Sequence, residues 1–315
     1  MANTLSPGTA ELAGTAAPQR IRTKRGIRWG RIAAWGAMGL LIFISLFPFY
    51  WMLRTALSTN SDLVTGDQSL VPPNPTLLNL KQALGLASPE QLAAAGTQTS
   101  ADVNFFIALR NSIIVCTLIT IGQVTFCSMS AYAFARLKFP GRELLFLLVL
   151  GTIMVPDQLR LIPVFVMLTN WHLIGNFSGY ILINLVTATN LFFMRQYFLT
   201  IPKDFEEAAK LDGAGYFKTF WRIMLPLALP AISALVILQF QGTWNDFFWP
   251  LILFGQGNPA HYTIQLGLAE LNFQYGVLWP EICAGSIIAI LPILAIFLAF
   301  QRYFISGVVS TGVKG

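Results

Sequence analysis

The fold class this sequence predicts is an all-α membrane protein that crosses the bilayer about six times, and three observations predict it. The first is composition. Of the 315 residues, 55% belong to the apolar set and only 11% are charged, where a soluble domain carries about a quarter charged residues. Mean hydropathy is +0.62. The second is six long apolar runs, at 32–53, 107–135, 144–168, 177–199, 225–249 and 282–305. At 1.5 Å per residue, helices of these lengths reach across a hydrocarbon core of about 30 Å. The third is the placement of basic residues between the runs, which alternates from rich to poor.

Residues 1–19 are rich in Ala, Thr, Pro and Gly and are expected to form a disordered tail. Six of the twenty Lys and Arg then fall between Arg20 and Arg31, directly before the first apolar run. The net charge of +6 is therefore an orientation signal rather than a nucleic-acid patch. The first run exceeds the roughly 7–15 residues of a signal-peptide core, and no clear small-residue cleavage site follows, so it is read as an uncleaved span. Pro and Gly interrupt several later runs, which spans tolerate where neighbouring helices satisfy the freed backbone groups.

Arg136, Lys138 and Arg142 occupy the second connection, and Arg195, Lys203, Lys210, Lys218 and Arg222 lie in or beside the fourth. Arg302 and Lys314 mark the C-terminal end. The third and fifth connections, 171–176 and 250–281, have no Lys or Arg, and the long first one, 54–106, has only Arg54 and Lys81. Six spans with both termini on the cytoplasmic side account for this alternation. The expected organisation is a cytoplasmic tail over 1–31, a first span and outer loop over 32–106, a core over 107–305, and a cytoplasmic tail over 306–315. The outer loop, with Pro72, Pro73 and Pro75, is too short for a substantial catalytic domain and suits a partly helical cap.

Cys116, Cys127 and Cys283 lie in apolar stretches and are expected to be buried small hydrophobes. Their odd number and spacing suit neither a disulfide framework nor a zinc site, and no metal site is expected. His172 and His261 fall in connecting segments. No GxxxxGK[ST] phosphate-binding loop occurs in the chain.

The fourth connection, 201–226, carries the most information. Pro202 suits a first helical turn, and Asp204, Glu206 and Glu207 favour its positive end. Phe205, Ala208 and Ala209 are expected on one face, with Glu206 and Lys210 pointing elsewhere. Gly213 can supply the positive φ that ends this helix. Tyr216, Phe217, Phe220 and Trp221 give a second amphipathic piece before Pro226 opens the fifth span. Such a small-faced helix on the cytoplasmic side suits docking into a groove of another protein.

Glu207-Ala208-Ala209, three residues, Gly213, nine residues, then Ile223, Leu225 and Pro226 make a long and complete pattern. It resembles the EAA loop of binding-protein-dependent ABC importer permeases. Further resemblance lies in Arg110-Asn111-Ser112, in 131–141, in 244–251 and in the tail from Gln301 to Gly315. The likeness runs from about Val103 to the C-terminus and is greatest to the second permease of maltose-type, carbohydrate-uptake transporters. It implies the type I ABC importer permease fold in a bacterial or archaeal cell membrane. It also implies a homologous second permease, two ATP-binding subunits that carry ATP and Mg, an extracytoplasmic solute-binding protein, and a sugar-like solute. The chain itself would hold no cofactor and catalyse no reaction. Carried over as ATPase-coupling residues are Glu206, Glu207, Ala208, Ala209, Asp212, Gly213 and Ala214, with Gly312 and Lys314 as tail contacts.

Polar residues in spans are the candidates for a solute pathway, because they are costly in hydrocarbon. Asp157 and Arg160 lie between Pro156 and Pro163, and a mutual ion pair is the plainer account of them. Asn245 and Asp246 sit between Trp244 and Trp249, a mixture of polar groups and flat rings that suits sugars as well as an aromatic belt. Gln241 and Gln239 are weaker candidates. Glu281 marks the outer start of the last span, where it would meet the binding protein or only the interface. An ion-coupled secondary transporter would show internal repeats, which are not evident, and an intramembrane enzyme would need a His/Asp/Glu or Ser/His constellation that the spans lack.

Overall fold

The computed structural model describes residues 29–66, 68–94, 104–255, 258–273 and 278–312. The cytoplasmic tail expected before residue 29 and the tail residue Lys314 lie outside the described residues. The chain divides into two compact units, one ending at Phe49 and the other beginning at Tyr50. The first unit holds most of α1 (Trp29–Ala56), an apolar helix that passes through Pro48 without ending.

Within the second unit, α2 (Asn60–Val64), α3 (Leu78–Ala83) and α4 (Pro89–Ala94) form the expected helical loop. Thr59 and Asp62 make a reciprocal capping box at the start of α2. Asn79 donates to the carbonyls of Ala56 and Ser58 at 2.8 and 2.9 Å, and Arg54 donates to Ser69 O at 3.0 Å. The loop is thus tied to the helix end it follows.

The axis of this unit is α5 (Phe105–Arg136), whose 32 residues exceed the length needed to span. Its buried face carries small residues, among them Ala108, Cys116, Cys127 and Ala131, which let other helices approach. The expected burial of the cysteines holds for Cys116 and Cys127, while Cys283 is half-buried.

Three of the expected spans are bent pairs. The first pair is α6 (Arg142–Gly151), continued by a 3-10 turn to Met154, and α7 (Asp157–Asn170), which meet at 103°. Pro156 accounts for the bend. It holds Val155 in extended backbone, whereas Pro163 sits inside α7 without ending it. The second pair, α8 (Phe177–Ile183) and α9 (Ala188–Thr200), bends by 46° at a break that contains neither Pro nor Gly. Gln123 of α5 sustains it, donating to Asn184 O at 2.7 Å while its own oxygen receives Asn190 Nδ2 at 3.1 Å.

The fourth connection forms α10 (Asp204–Leu211) and α11 (Tyr216–Thr219). A π turn over Phe220–Met224 and the short α12 (Leu225–Leu227) follow, then α13 (Leu229–Trp244) at 77°. Pro202 lies ahead of the first helix rather than in its first turn. Pro226 does not open the span either. The wide π turn makes room for its ring, and the chain bends at Ala228, just before Pro230. After α14 (Phe248–Phe254) and α15 (Ile264–Phe273), α16 (Trp279–Gly312) closes the chain. It packs on α13, α15 and α3, the last through Ala83, Ala284 and Ile288. No strand occurs among the described residues.

Candidate functional site

Two regions hold the residues singled out in the sequence. In the fourth connection, α10 opens with Asp204, Glu206 and Glu207 in its first turn and ends in a left-handed Gly213, φ +75°. Ala214 N reaches back to Ala209 O at 2.9 Å and Gly213 N to Lys210 O at 3.0 Å, a Schellman closure. Lys210 lies 5.8 Å from the ring of Tyr216, joining the two short helices across the turn.

The face assignment differs from the sequence expectation. Ala209 is buried, but Phe205 and Ala208 are exposed, and it is Glu206 that turns inward. The reason is Arg136 at the end of α5. Its guanidinium donates to Phe198 O at 2.6 Å and to Ile201 O, and it stands 3.9 Å from the Glu206 carboxylate. Charge complementarity sets this face, where an apolar pattern would have set the other. The outward face is left with Glu207, Ala208, Asp212 and Leu211, the last 90% exposed. Phe205, Tyr216 and Phe217 are exposed beside it. Exposed apolar and acidic side chains thus stand together on the outward side of this connection.

Arg195 reinforces the same end of the spans. It lies 4.0 Å above the ring of Phe146, and its guanidinium is 3.5 Å from Glu143.

The second region is among the spans. Asp157 and Arg160 pair with each other at 2.5 Å on the exposed first turn of α7. Trp244 is 1% exposed and stacks on Phe240 at 5.6 Å, so its ring belongs to the core. Asn245 is exposed and accepts from Gln265 at 3.4 Å. Asp246 is held by the Tyr180 hydroxyl at 2.6 Å and receives Trp249 N at 3.3 Å. Leu238, Gln241, Gly242 and Asn245 are all exposed and share one face of α13 by their helical spacing. Glu281 is buried with Gln82 of α3 beside it, so it faces the outer loop rather than the outside.

Of a chain of amides only Gln239 was singled out in the sequence. Gln123 meets Asn190, Asn190 donates to Gln239 at 2.8 Å, and Gln239 donates to Thr243 at 2.9 Å, linking α5, α9 and α13. The only signal for it was an amide in each of three apolar runs. Asn111 and Ser112 gain a definite role here. The Asn111 amide donates to Ala260 O and Tyr262 O, and Ser112 Oγ receives Ile264 N at 2.8 Å, fastening α5 to the start of α15.

Bent spans around one long helix, with a helical loop exposing one face between two of them, define the architecture of a polytopic membrane protein. Residues 123–310 match the family described as the binding-protein-dependent transport system inner membrane component, and the chain belongs to that family. It is the permease subunit of an ABC importer that depends on a solute-binding protein.

Among curated relatives, the chain is 35% identical to the arabinooligosaccharides transport system permease protein AraQ of Bacillus subtilis, over 88% of this chain and 93% of that one. It is 36% identical to a probable ABC transporter permease protein of Pyrococcus horikoshii, over 85% and 92%. With the sn-glycerol-3-phosphate transport system permease protein UgpE of Yersinia pestis, identity is 29% over 86% and 92%. The likeness therefore extends well beyond the two thirds that its motifs mark out. A solved bacterial ABC transporter for import of the acidic polysaccharide alginate shares the fold, with a TM-score of 0.73 at 21% identity over 87% of this chain and 96% of that one.

Proposed function

We propose that this chain forms one half of a solute pathway for a sugar or sugar-like molecule and that α10 couples it to ATP hydrolysis on a separate subunit. The observation that carries the coupling role is the exposed face of Glu207, Ala208, Leu211 and Asp212 on a helix whose opposite side is clamped to the spans. A helix so held passes on a displacement instead of absorbing it. ATP and Mg belong to the partner ATPase on this reading, and both termini lie on the cytoplasmic side. The core extends over 107–305, with coupling loop 201–226 and flanking tails, and Gly312 and Lys314 are assigned as tail contacts to the ATPase.

The solute pathway is assigned to the α13 face bearing Gln241 and Asn245, with Asp246 behind it. Neutral amides accept and donate to hydroxyl groups alike, which suits a polyhydroxyl solute. The names of the relatives, for arabino-oligosaccharides and glycerol phosphate, support the same class.

The test is to purify the tagged chain from its native membrane in mild detergent and identify what accompanies it. One homologous permease and two ATPase copies are expected. Hydrolysis by that complex in vesicles should rise with the solute-binding protein, and Glu207→Lys should abolish the rise while the chain stays inserted. Recovery of the chain alone in several detergents would overturn the reading.

A further inference from the structure

We propose that Arg136 is a positioning residue for energy coupling: it fastens α10 to the ends of α5 and α9, so that a push on α10 moves the spans. This rests on the coupling role proposed above for α10. The Arg136 side chain is 5% exposed and joins three elements at once, its own helix α5, the closing carbonyls of α9 at Phe198 and Ile201, and Glu206 of α10. One nitrogen of the planar guanidinium holds the two carbonyls while the other faces the carboxylate, a fixed geometry that a lysine's compact, rotating ammonium does not reproduce.

The pairing is also not the one stability alone would select. Arg136 Nε and Glu206 Oε1 are buried without hydrogen-bond partners, and the charges stand 3.9 Å apart. A buried pair left this incomplete is commonly matched or bettered by apolar residues of similar volume. Beside it lies a cavity of about 250 Å³, lined by Tyr132, Arg136, Glu206, Lys210, Tyr216 and Thr219 among others. That space leaves room for the Glu206 carboxylate to approach the guanidinium nitrogen that faces it.

The probe is the solute-binding protein, and the readout is the factor by which it stimulates ATP hydrolysis of the complete transporter in vesicles. Arg136→Gln and Glu206→Gln should each lower that factor by about tenfold, within the range of coupling between contacting charged groups. The double variant should fall no more than about twofold below the lower single one, because both remove one link. Arg136→Lys should recover only part of the stimulation. Glu206→Gln leaves both carbonyl bonds of Arg136 in place, so it decides the matter if Arg136→Gln fails to assemble. Wild-type stimulation in Glu206→Gln, or losses that simply multiply in the double variant, would overturn the proposal. Glu207→Lys separates the two levels. If it abolishes stimulation while Glu206→Gln does not, the link fails and the docking face stands. If Glu207→Lys also behaves as wild type, the coupling role of α10 fails first.

Discussion

The hydroxyl of Tyr180 on α8 donates a 2.6 Å hydrogen bond to Asp246, in the turn between α13 and α14. Tyr180 is 1% exposed and packs edge-on to Phe254, 6.2 Å between ring centres, so its direction is fixed. A short bond to a carboxylate is among the stronger kinds, and removing the donor leaves the acceptor short of a partner. Tyr180→Phe is expected to cost about 1–3 kcal/mol, seen as a lower unfolding temperature of the detergent-purified complex. An unchanged temperature would mean that water replaces the hydroxyl.

Gly122 predicts a steric effect. A Cβ there would lie 2.5 Å from a methyl of Leu185, in the break between α8 and α9. Gly122→Ala should be tolerated in part, because the obstacle is the tip of a side chain. Gly122→Val should push the break away from Gln123 and cost about 1–3 kcal/mol by overpacking. Amide exchange at 184–187 in the purified complex measures it. Faster exchange in Val than in Ala, and in Ala than in wild type, is the expected order.

The long apolar runs fall inside α1, α5 and α16 and stop short of their ends by one to seven residues, because length in hydrocarbon is a local property. Gly213 was legible for the same reason, since a left-handed helix end is set by one residue. The break after Ile183 was not, because nothing within it forces a bend, and the group that sustains it, Gln123, lies 61 residues from Asn184. The inward turn of Glu206 depends on Arg136 in the same long-range way. Amphipathic spacing misplaced this face because it scores apolarity and is blind to a cation arriving from another helix.

The outer loop should respond to acid through Asp62. Hydrogen bonds from Asn74 and Thr59 hold its carboxyl below the ordinary aspartate range. A carboxylate depressed in the folded state adds stability that is fully present above its unfolded pKa of about 3.9. That contribution is lost as pH falls through the lower, folded value. Proteolysis of the 59–76 segment should therefore rise only in strong acid for wild type. Asp62→Asn should show no such acid step, with higher susceptibility at neutral pH. A wild-type loop whose proteolysis begins to rise already near pH 6 would overturn this assignment.

Gly213 separates backbone strain from crowding. No atom lies within 4 Å of the Cβ position, so a substitution there pays only for φ +75°. An L residue in the left-handed region costs roughly 1–2 kcal/mol, and Asn far less, because its short side chain bonds locally. Gly213→Asn should keep the Ala214 to Ala209 closure and resemble wild type. Gly213→Val should loosen the last turn of α10, raising amide exchange at Gly213 and Ala214 by about tenfold, the equivalent of 1.4 kcal/mol. Because Leu211 and Asp212 stand on the proposed docking face, the same variant should weaken retention of the ATPase during purification. If Asn and Val behave alike, the closure is not what fixes this end of the helix.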